Sequence, residues 1–406
     1  MKAGSGTRRI LILTADVGLG HRSAAEAIEA ALRTSAPSDW SVTVVNPLDD
    51  DRVPAILRER QEAYDRLVQS DPDLYKLGYR VADTEAVGAL VNGATTVALY
   101  KVLRDIVRQS KPDVIVSTFA IYQAGLGAVM QVTGVPIPIL TVVTDLATVS
   151  QVWFNSASDL TLVPTEIVRD LAVEHGIPTS RVRVTGLPVD PRLAEDPGDR
   201  GTLRVSLGWE RDLTTLLVVG SKRVRRLPEM LHGINHAGHP LQLILVAGDD
   251  EMLHQKLQET TWHLPARIYG FVEQLPTFMH AADAVMSKAG GLIVTESLAA
   301  GLPLLLVDVL PGQEVGNADL VVETGAGELV SDPLSALETV AHWLEADGAL
   351  LAERSANARD LGRPRAAHAV AELAVQAAQG KLELDLPERG ESESDLLRFL
   401  QKQGVL

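Results

Sequence analysis

The chain has 406 residues, 46% of them hydrophobic and 4% aromatic, and carries a formal net charge of −16. That length supports two ordinary domains, the apolar content excludes wholesale disorder, and the acidity disfavours nucleic acid, whose phosphates it repels. There are no cysteines, which removes disulfides, thiolate catalysis and zinc–thiolate sites together and fits a cytoplasmic protein.

In chain order, Arg9–Thr14 reads as a short buried strand. Basic residues precede it, but its apolar run is too short for a signal peptide or a membrane span. A glycine-containing loop follows, then an Ala/Glu-rich helix over Ala24–Leu32 and a second strand over Ser41–Val45. Residues from Pro54 to Gln109 read as mostly helical, with turn signals at Ser70-Asp71-Pro72. Val114–Ser117, Ile137–Val143, Leu160–Val163 and Val182–Val184 are further strands, with a small-residue helix over Gly125–Val132. Repeated strand–helix units imply a parallel sheet covered on both faces. Residues 1–190 therefore read as one domain, and 191–205, rich in Pro, Gly and charge, as a linker. A second series runs through 206–380, with strands at Thr215–Val219, Leu241–Ala247, Ala266–Tyr269, Ala284–Met286, Leu304–Val307 and Gly327–Val330. Its Ala-rich last helices either close that domain or return to the first. The charged stretch 381–406 reads as a mobile tail ending in a short amphipathic helix. The predicted fold class is α/β, two doubly wound Rossmann-like domains facing across a cleft.

Five stretches carry candidate chemistry, each following the carboxyl end of a predicted strand, where ligands of open parallel sheets collect. Asp16-Val17-Gly18-Leu19-Gly20-His21-Arg22 opens a helix after the first strand. Gly18 and Gly20 let backbone approach a ligand, and His21 can take a proton from a hydroxyl. It reads equally as a capping or packing histidine. The loop is neither a P-loop nor GxGxxG. Ser287-Lys288-Ala289-Gly290-Gly291 leads into a second helix carrying Glu296. Small residues there would expose amides to a diphosphate, and a carboxylate in that helix can accept hydrogen bonds from the vicinal hydroxyls of a ribose. A solvated helix glutamate is the other reading of Glu296. Gln313, Glu314 and Asn317 supply donors and acceptors suited to sugar hydroxyls, or form a capped polar loop. Gly220-Ser221-Lys222-Arg223-Val224-Arg225-Arg226 faces phosphate or is a solvated charge run. Thr144-Asp145, with Trp153-Phe154 downstream, orients His21 or an acceptor hydroxyl, or caps a turn.

Taken together, GLGHRSAAEAI (18–28), TDLATVSQVWF (144–154), GLPVDP (186–191), the run 270–306 and GQEVGNADLVVETGAG (312–327) resemble the monogalactosyldiacylglycerol synthase and processive diacylglycerol glucosyltransferase group. These are inverting GT-B glycosyltransferases that use UDP-sugars. The resemblance spans about Arg9 to Gly327. It implies that His21 serves the acceptor hydroxyl, that Phe271 and Val272 hold uracil through their backbone, and that Ser287, Gly290 and Gly291 form the diphosphate turn. It further implies that Glu296 binds the ribose, and that Gln313 and Glu314 face the donor sugar. Two departures stand out: relatives have a glycine-rich loop where this chain has GSKRVRRLPEM (220–230), and a histidine where it has Ser150.

The resulting expectation is transfer of a hexose from a UDP-sugar to a hydroxyl of a lipid or lipid-linked acceptor such as diacylglycerol. His21, aided by Asp145, is the base, and Gly18, Gly20, Ser221, Lys288 or Arg223 and the helix-end amides serve the donor. No cofactor is expected, no metal is strictly required, and membrane contact is expected to be peripheral, at the inner face of the cell membrane. Residues 1–190 hold 18 Lys and Arg against 22 Asp and Glu, so most of the acidity lies beyond them and an anionic surface meets this half more easily. Two other readings stay open: a UDP-sugar epimerase on the same fold, and a degenerate relative that binds nucleotide-sugar or lipid without turnover.

Overall fold

The computed structural model describes residues 7–58, 85–222, 224, 226–236, 238–310, 312 and 314–384. They form two parallel six-stranded sheets. The first comprises β1 (Arg9–Leu13), β2 (Ser41–Val45), β3 (Val114–Ser117), β4 (Ile139–Val142), β5 (Leu160–Val163) and β6 (Val182–Val184), in the order β2-β1-β3-β4-β5-β6. The second comprises β7 (Thr214–Val219), β8 (Leu241–Val246), β9 (Ala266–Tyr269), β10 (Ala284–Lys288), β11 (Leu304–Asp308) and β12 (Gly327–Leu329), in the order β12-β11-β10-β7-β8-β9.

The inner strands of each sheet are buried on both faces, which is why they read as apolar runs rather than alternating ones. In β1, Leu11 and Leu13 pack with Ile115, Leu99, Leu103 and Tyr122 on one face. Ile10 and Ile12 pack on the other face with Ala25, Ile28 and Leu32 of the helix Leu19–Ser35. The second sheet repeats the arrangement: Leu216 and Val218 face one core with Leu243 and Leu245, and Leu217 faces the other with Ile244, Phe278 and Val285.

The strand orders fix where ligands can gather. From β1 the chain steps to β2 on one side and then crosses to β3 on the other. From β7 it runs through β8 and β9, then crosses to β10. The β1/β3 and β7/β10 seams are thus the topological switch points, where successive loops diverge and leave a crevice at the strands' carboxyl ends.

The chain divides into two compact units, residues 1–188 with 365–406, and residues 189–364. The helix Ala366–Ala378 packs on helix Leu19–Ser35 and on β3. Ala367, Val370, Ala371 and Ala374 are fully buried in that core. The last helix therefore belongs to the first unit. Leu382 and Leu384 also pack there, so the expected mobile tail starts as packed chain, and residues 385–406 lie outside the described residues. The stretch 191–205, expected as a linker, is folded into the second unit as a turn, Pro191–Ala194, and the start of a helix, Arg200–Ser206. Leu193 is buried there, and Arg204 is held by Asp283 at 2.5 Å and by the Ala281 carbonyl at 2.8 Å. The helix expected over Ala24–Leu32 starts earlier, at Leu19, so His21 lies in its first turn. Most of the helical stretch expected before Gln109 is described only as Ala55–Arg58 and Glu85–Ser110, and Ser70-Asp71-Pro72 lies outside the described residues.

Candidate active site

At the β1/β3 seam, Gly18 adopts φ 77° and ψ 166°, a conformation essentially open to glycine alone, and turns the chain from β1 into helix Leu19–Ser35. Asp16 braces this loop with a two-pronged bond to Arg22, at 2.6 and 2.7 Å. Asn46, at the end of β2, donates to Asp16 at 3.2 Å and to Asp49 at 2.7 Å. Tyr122, buried after β3, donates its hydroxyl to the Thr14 carbonyl at 2.9 Å.

His21 is half-buried. Its Nδ1 lies 3.0 Å from the carbonyl oxygen of Thr118 and 2.6 Å from the hydroxyl of Thr144. A carbonyl only accepts, so the partner assigns the proton to Nδ1 and leaves Nε2 with its lone pair. Phe119 meets the ring edge-on with centroids 4.8 Å apart, and Trp153 lies at 6.0 Å. Burial pushes the imidazole pKa down to about 4, with the Thr118 carbonyl working the other way. The ring is therefore neutral at pH 7, in the form that accepts a proton. Asp145 accepts from Trp153 Nε1 at 2.7 Å, so it steadies the indole beside the imidazole. Ser150 caps the turn Gln151–Trp153 and thereby shapes the approach of Trp153. Thr118 was not singled out from the sequence; its place directly after β3 at the switch point was the available signal.

At the β7/β10 seam, the chain leaves β10 through Ala289 and Gly290 into helix Gly291–Ala299, whose first turn has no side-chain cap. Its leading N–H groups are ready donors for a phosphate. A Cβ added at Gly290 would lie 2.7 Å from Lys288 Nζ, the end of a flexible side chain that can move aside. Lys288 is paired with Glu314, whose second oxygen accepts from the Leu310 amide at 3.0 Å. Both candidates are thus in place, but each neutralises the other. The Ser287 hydroxyl donates to the Val219 carbonyl at 2.7 Å, tying β10 to β7, so its proton is committed to that bond. Asn317 donates to the Ala289 carbonyl at 3.0 Å and holds the turn from behind, while its buried Oδ1 has no partner among the described residues.

Glu296 is half-buried in the same helix, and among the described residues nothing hydrogen-bonds its carboxyl. Burial, with the nearby charge of Asp190, pushes its pKa up to about 8. A desolvated carboxyl without a partner is costly, and vicinal hydroxyls would satisfy it. Phe271 is 76% exposed, while Val272 packs into the core, so the loop after β9 is anchored on one side only. Ser221 follows the close turn at Gly220, where the Gly220 amide donates to the Val246 carbonyl at 2.8 Å. Of the cations beyond it, Lys222 pairs with Asp249 at 3.2 Å and Arg226 binds the Ser331 carbonyl. Arg223, Arg225 and Gln313 lie outside the described residues.

The structure thus gathers His21, Gly18, Gly20 and Asp145 in the first unit, and Ser221, Ser287, Lys288, Gly290, Gly291, Glu296 and Glu314 in the second. Among the described residues no group of three or more His, Asp or Glu side chains is placed to hold a metal ion.

Two family models match the chain, one in each unit for most of its length. A family model described as monogalactosyldiacylglycerol (MGDG) synthase matches residues 21–189, opening on His21. One described as glycosyltransferase family 28 C-terminal domain matches residues 214–370. The chain is 30% identical over 373 residues to a probable chloroplastic monogalactosyldiacylglycerol synthase of Glycine max, covering 89% of this chain and 70% of that protein. It is 30% identical over 369 residues to the chloroplastic monogalactosyldiacylglycerol synthase of Spinacia oleracea, covering 88% and 70%. Among solved structures it resembles MurG of Acinetobacter baumannii, with a TM-score of 0.57 at 16% identity over 90% of this chain and 98% of that one. It also resembles the UDP-GlcNAc 2-epimerase of Neisseria meningitidis bound to UDP-GlcNAc, at 0.55 and 15% over 91% and 100%. At those identities the structural likeness establishes the GT-B fold alone, which transferases and epimerases share. The sequence likeness is to transferases and runs through both units. The chain therefore belongs to the monogalactosyldiacylglycerol synthase family and is a UDP-sugar-dependent glycosyltransferase.

Proposed function

We propose that this protein transfers galactose from UDP-galactose to the free hydroxyl of diacylglycerol, with inversion at the anomeric carbon. The observation that carries the acceptor half is His21. Its Nδ1–H is turned to the Thr118 carbonyl, its pKa is about 4, and Nε2 is left as a neutral base. The acceptor oxygen attacks the anomeric carbon as its proton passes to Nε2, and the bond from that carbon to the UDP oxygen breaks. The uncapped first turn of helix Gly291–Ala299 takes the charge that develops on the departing diphosphate. Lys288 adds to this when it shares its charge with the phosphates. Glu296 accepts from the ribose hydroxyls, and Gly18 and Gly20 leave room beside His21. In this reading no metal is needed, and transfer persists in excess EDTA.

A lipid acceptor brings the enzyme to a membrane surface, where we place it as a peripheral protein at the cytoplasmic face. No helix among the described residues is long and apolar enough to cross a membrane. Flotation with anionic vesicles tests the contact, and absence of binding to every composition would overturn it. The central experiment incubates purified protein with diacylglycerol in mixed micelles and either UDP-galactose or UDP-glucose, with products read by mass spectrometry. Monogalactosyldiacylglycerol from UDP-galactose is expected. Release of a rearranged UDP-sugar with no glycolipid would instead favour epimerase chemistry.

A further inference from the structure

The GLPVDP run (186–191) has no role in the chemistry above, yet it leads into a turn built with unusual care. The Asp190 side chain caps that turn by accepting from the Arg192 amide at 2.9 Å. It also binds the Arg192 guanidinium at both oxygens, with Nε at 3.0 and 3.1 Å and Nη2 at 2.7 Å. The second proton of Nη2 goes to the main-chain carbonyl of Glu273 at 3.0 Å. The main-chain carbonyl of Arg192 in turn accepts from His280 Nε2 at 3.0 Å. Residue 192 is thus fastened by side chain and main chain to the two ends of the segment that follows β9.

We propose that Arg192 is a positioning residue for the nucleoside half of the donor, fixing the Phe271–Glu273 backbone relative to the helix that carries Glu296. This rests on the UDP-sugar reading of the second unit. The loop needs such a fastening, because the Phe271 side chain is in solvent and Val272 is its one core contact among these three residues. The turn is suited to provide it. Val189 and Leu193 are buried in one cluster with Phe278, Met279 and Ala299, and Ile293 of the Glu296 helix packs on the same cluster. The charge of Asp190 also reaches Glu296, as the raised carboxyl pKa records. Turn, base-side loop and ribose-side helix therefore share one core. The ion pair is half-exposed, at 48% and 31%, a setting in which such pairs add little to global stability. Its consequence is local: it sets the position of main-chain groups that would read the edge of a uracil ring.

That role predicts a change in base selectivity. Uracil and cytosine differ on the edge that main-chain N–H and C=O groups can read, so a fixed backbone separates UDP from CDP and a released one does not. Calorimetric titration of UDP and CDP into the wild type, Arg192→Ala and Arg192→Lys tests this. The wild type is expected to prefer UDP. Arg192→Ala is expected to lose about tenfold for UDP and much less for CDP, so that the preference collapses, while kcat at saturating donor stays within about twofold. Arg192→Lys, which keeps the charge but not the fork, is expected to fall between them. A UDP/CDP ratio unchanged in Arg192→Ala would overturn the positioning role while leaving the donor reading intact. Failure of the wild type to bind UDP at all would overturn both. If Arg192→Ala unfolds, the ratio in Arg192→Lys decides.

Discussion

His21 and Glu296 are tuned in opposite directions by the same cause, the removal of water. Burial lowers the imidazole pKa to about 4, so in the proposed mechanism the rate is expected to fall only as pH drops through that value rather than near 6.5. His21→Ala is expected to lower turnover by about 10²–10⁴-fold with UDP affinity unchanged, as measured by initial rates and calorimetry. The same shift bears on stability. The folded pKa is depressed, so the contribution is present above 6.5 and is lost as pH falls toward 4, to a limit of about 3 kcal/mol. Glu296 behaves in the reverse sense: its carboxyl holds a proton up to about 8, and ionised oxygens accept ribose hydroxyls best. UDP affinity is therefore expected to rise from pH 7 toward 8 and then level, by up to about tenfold per unit, and Glu296→Gln is expected to lose that slope in the same titrations. Both residues were legible in the sequence because glycines precede them at strand ends. Thr118 was not, because its contribution is a main-chain carbonyl, which leaves no mark on residue type. Asp145 was legible as a polar group at a strand end, but its bond to the Trp153 indole depends on a short turn that sequence pattern does not shape.

At the level of single elements, the loop between β1 and its helix holds Gly18 in a conformation that only glycine adopts readily. Gly18 has no neighbour that an added methyl would strike, so the cost of Gly18→Ala is conformational alone, about 1–3 kcal/mol. We expect a lower melting temperature for the first unit together with reduced transfer, because the same distortion moves His21. A substitution in an unstrained surface helix serves as the control. The buried strands were readable from the sequence to within a residue or two, since a parallel sheet covered on both faces leaves uninterrupted apolar runs. The start of helix Leu19–Ser35 was harder to read, because its N-cap is a glycine and its first turn spells ligand-binding loop as much as helix. The stretch 191–205 resembled a linker for a similar reason. Its Pro, Gly and charges are those of a turn and two caps, and its burial depends on a few residues such as Leu193 and Arg204.

For the whole molecule, the decisive feature is that the first unit is discontinuous in sequence while the second is one unbroken segment. The Ala-rich composition of 366–378 announced a packed helix, but nothing in a small-residue face names its partner, so its return to the first sheet was not decided by the sequence. Two thermal transitions are expected in calorimetry, one for each unit. Ending the chain at Pro364 removes Ala367, Val370, Ala371 and Ala374 from the first core. The truncated protein is expected to lose or sharply lower the first unit's transition while keeping the other, as a fragment spanning 189–364 should by itself. The order of synthesis follows from the same feature. A ribosome delivers the N-terminal sheet first, yet the helix that completes its cover emerges only after the whole second unit. The second unit, continuous and finished earlier, can reach its native state while the first is still incomplete. During that interval one face of the first sheet is left partly uncovered, and it is this face that a chaperone would have to shield.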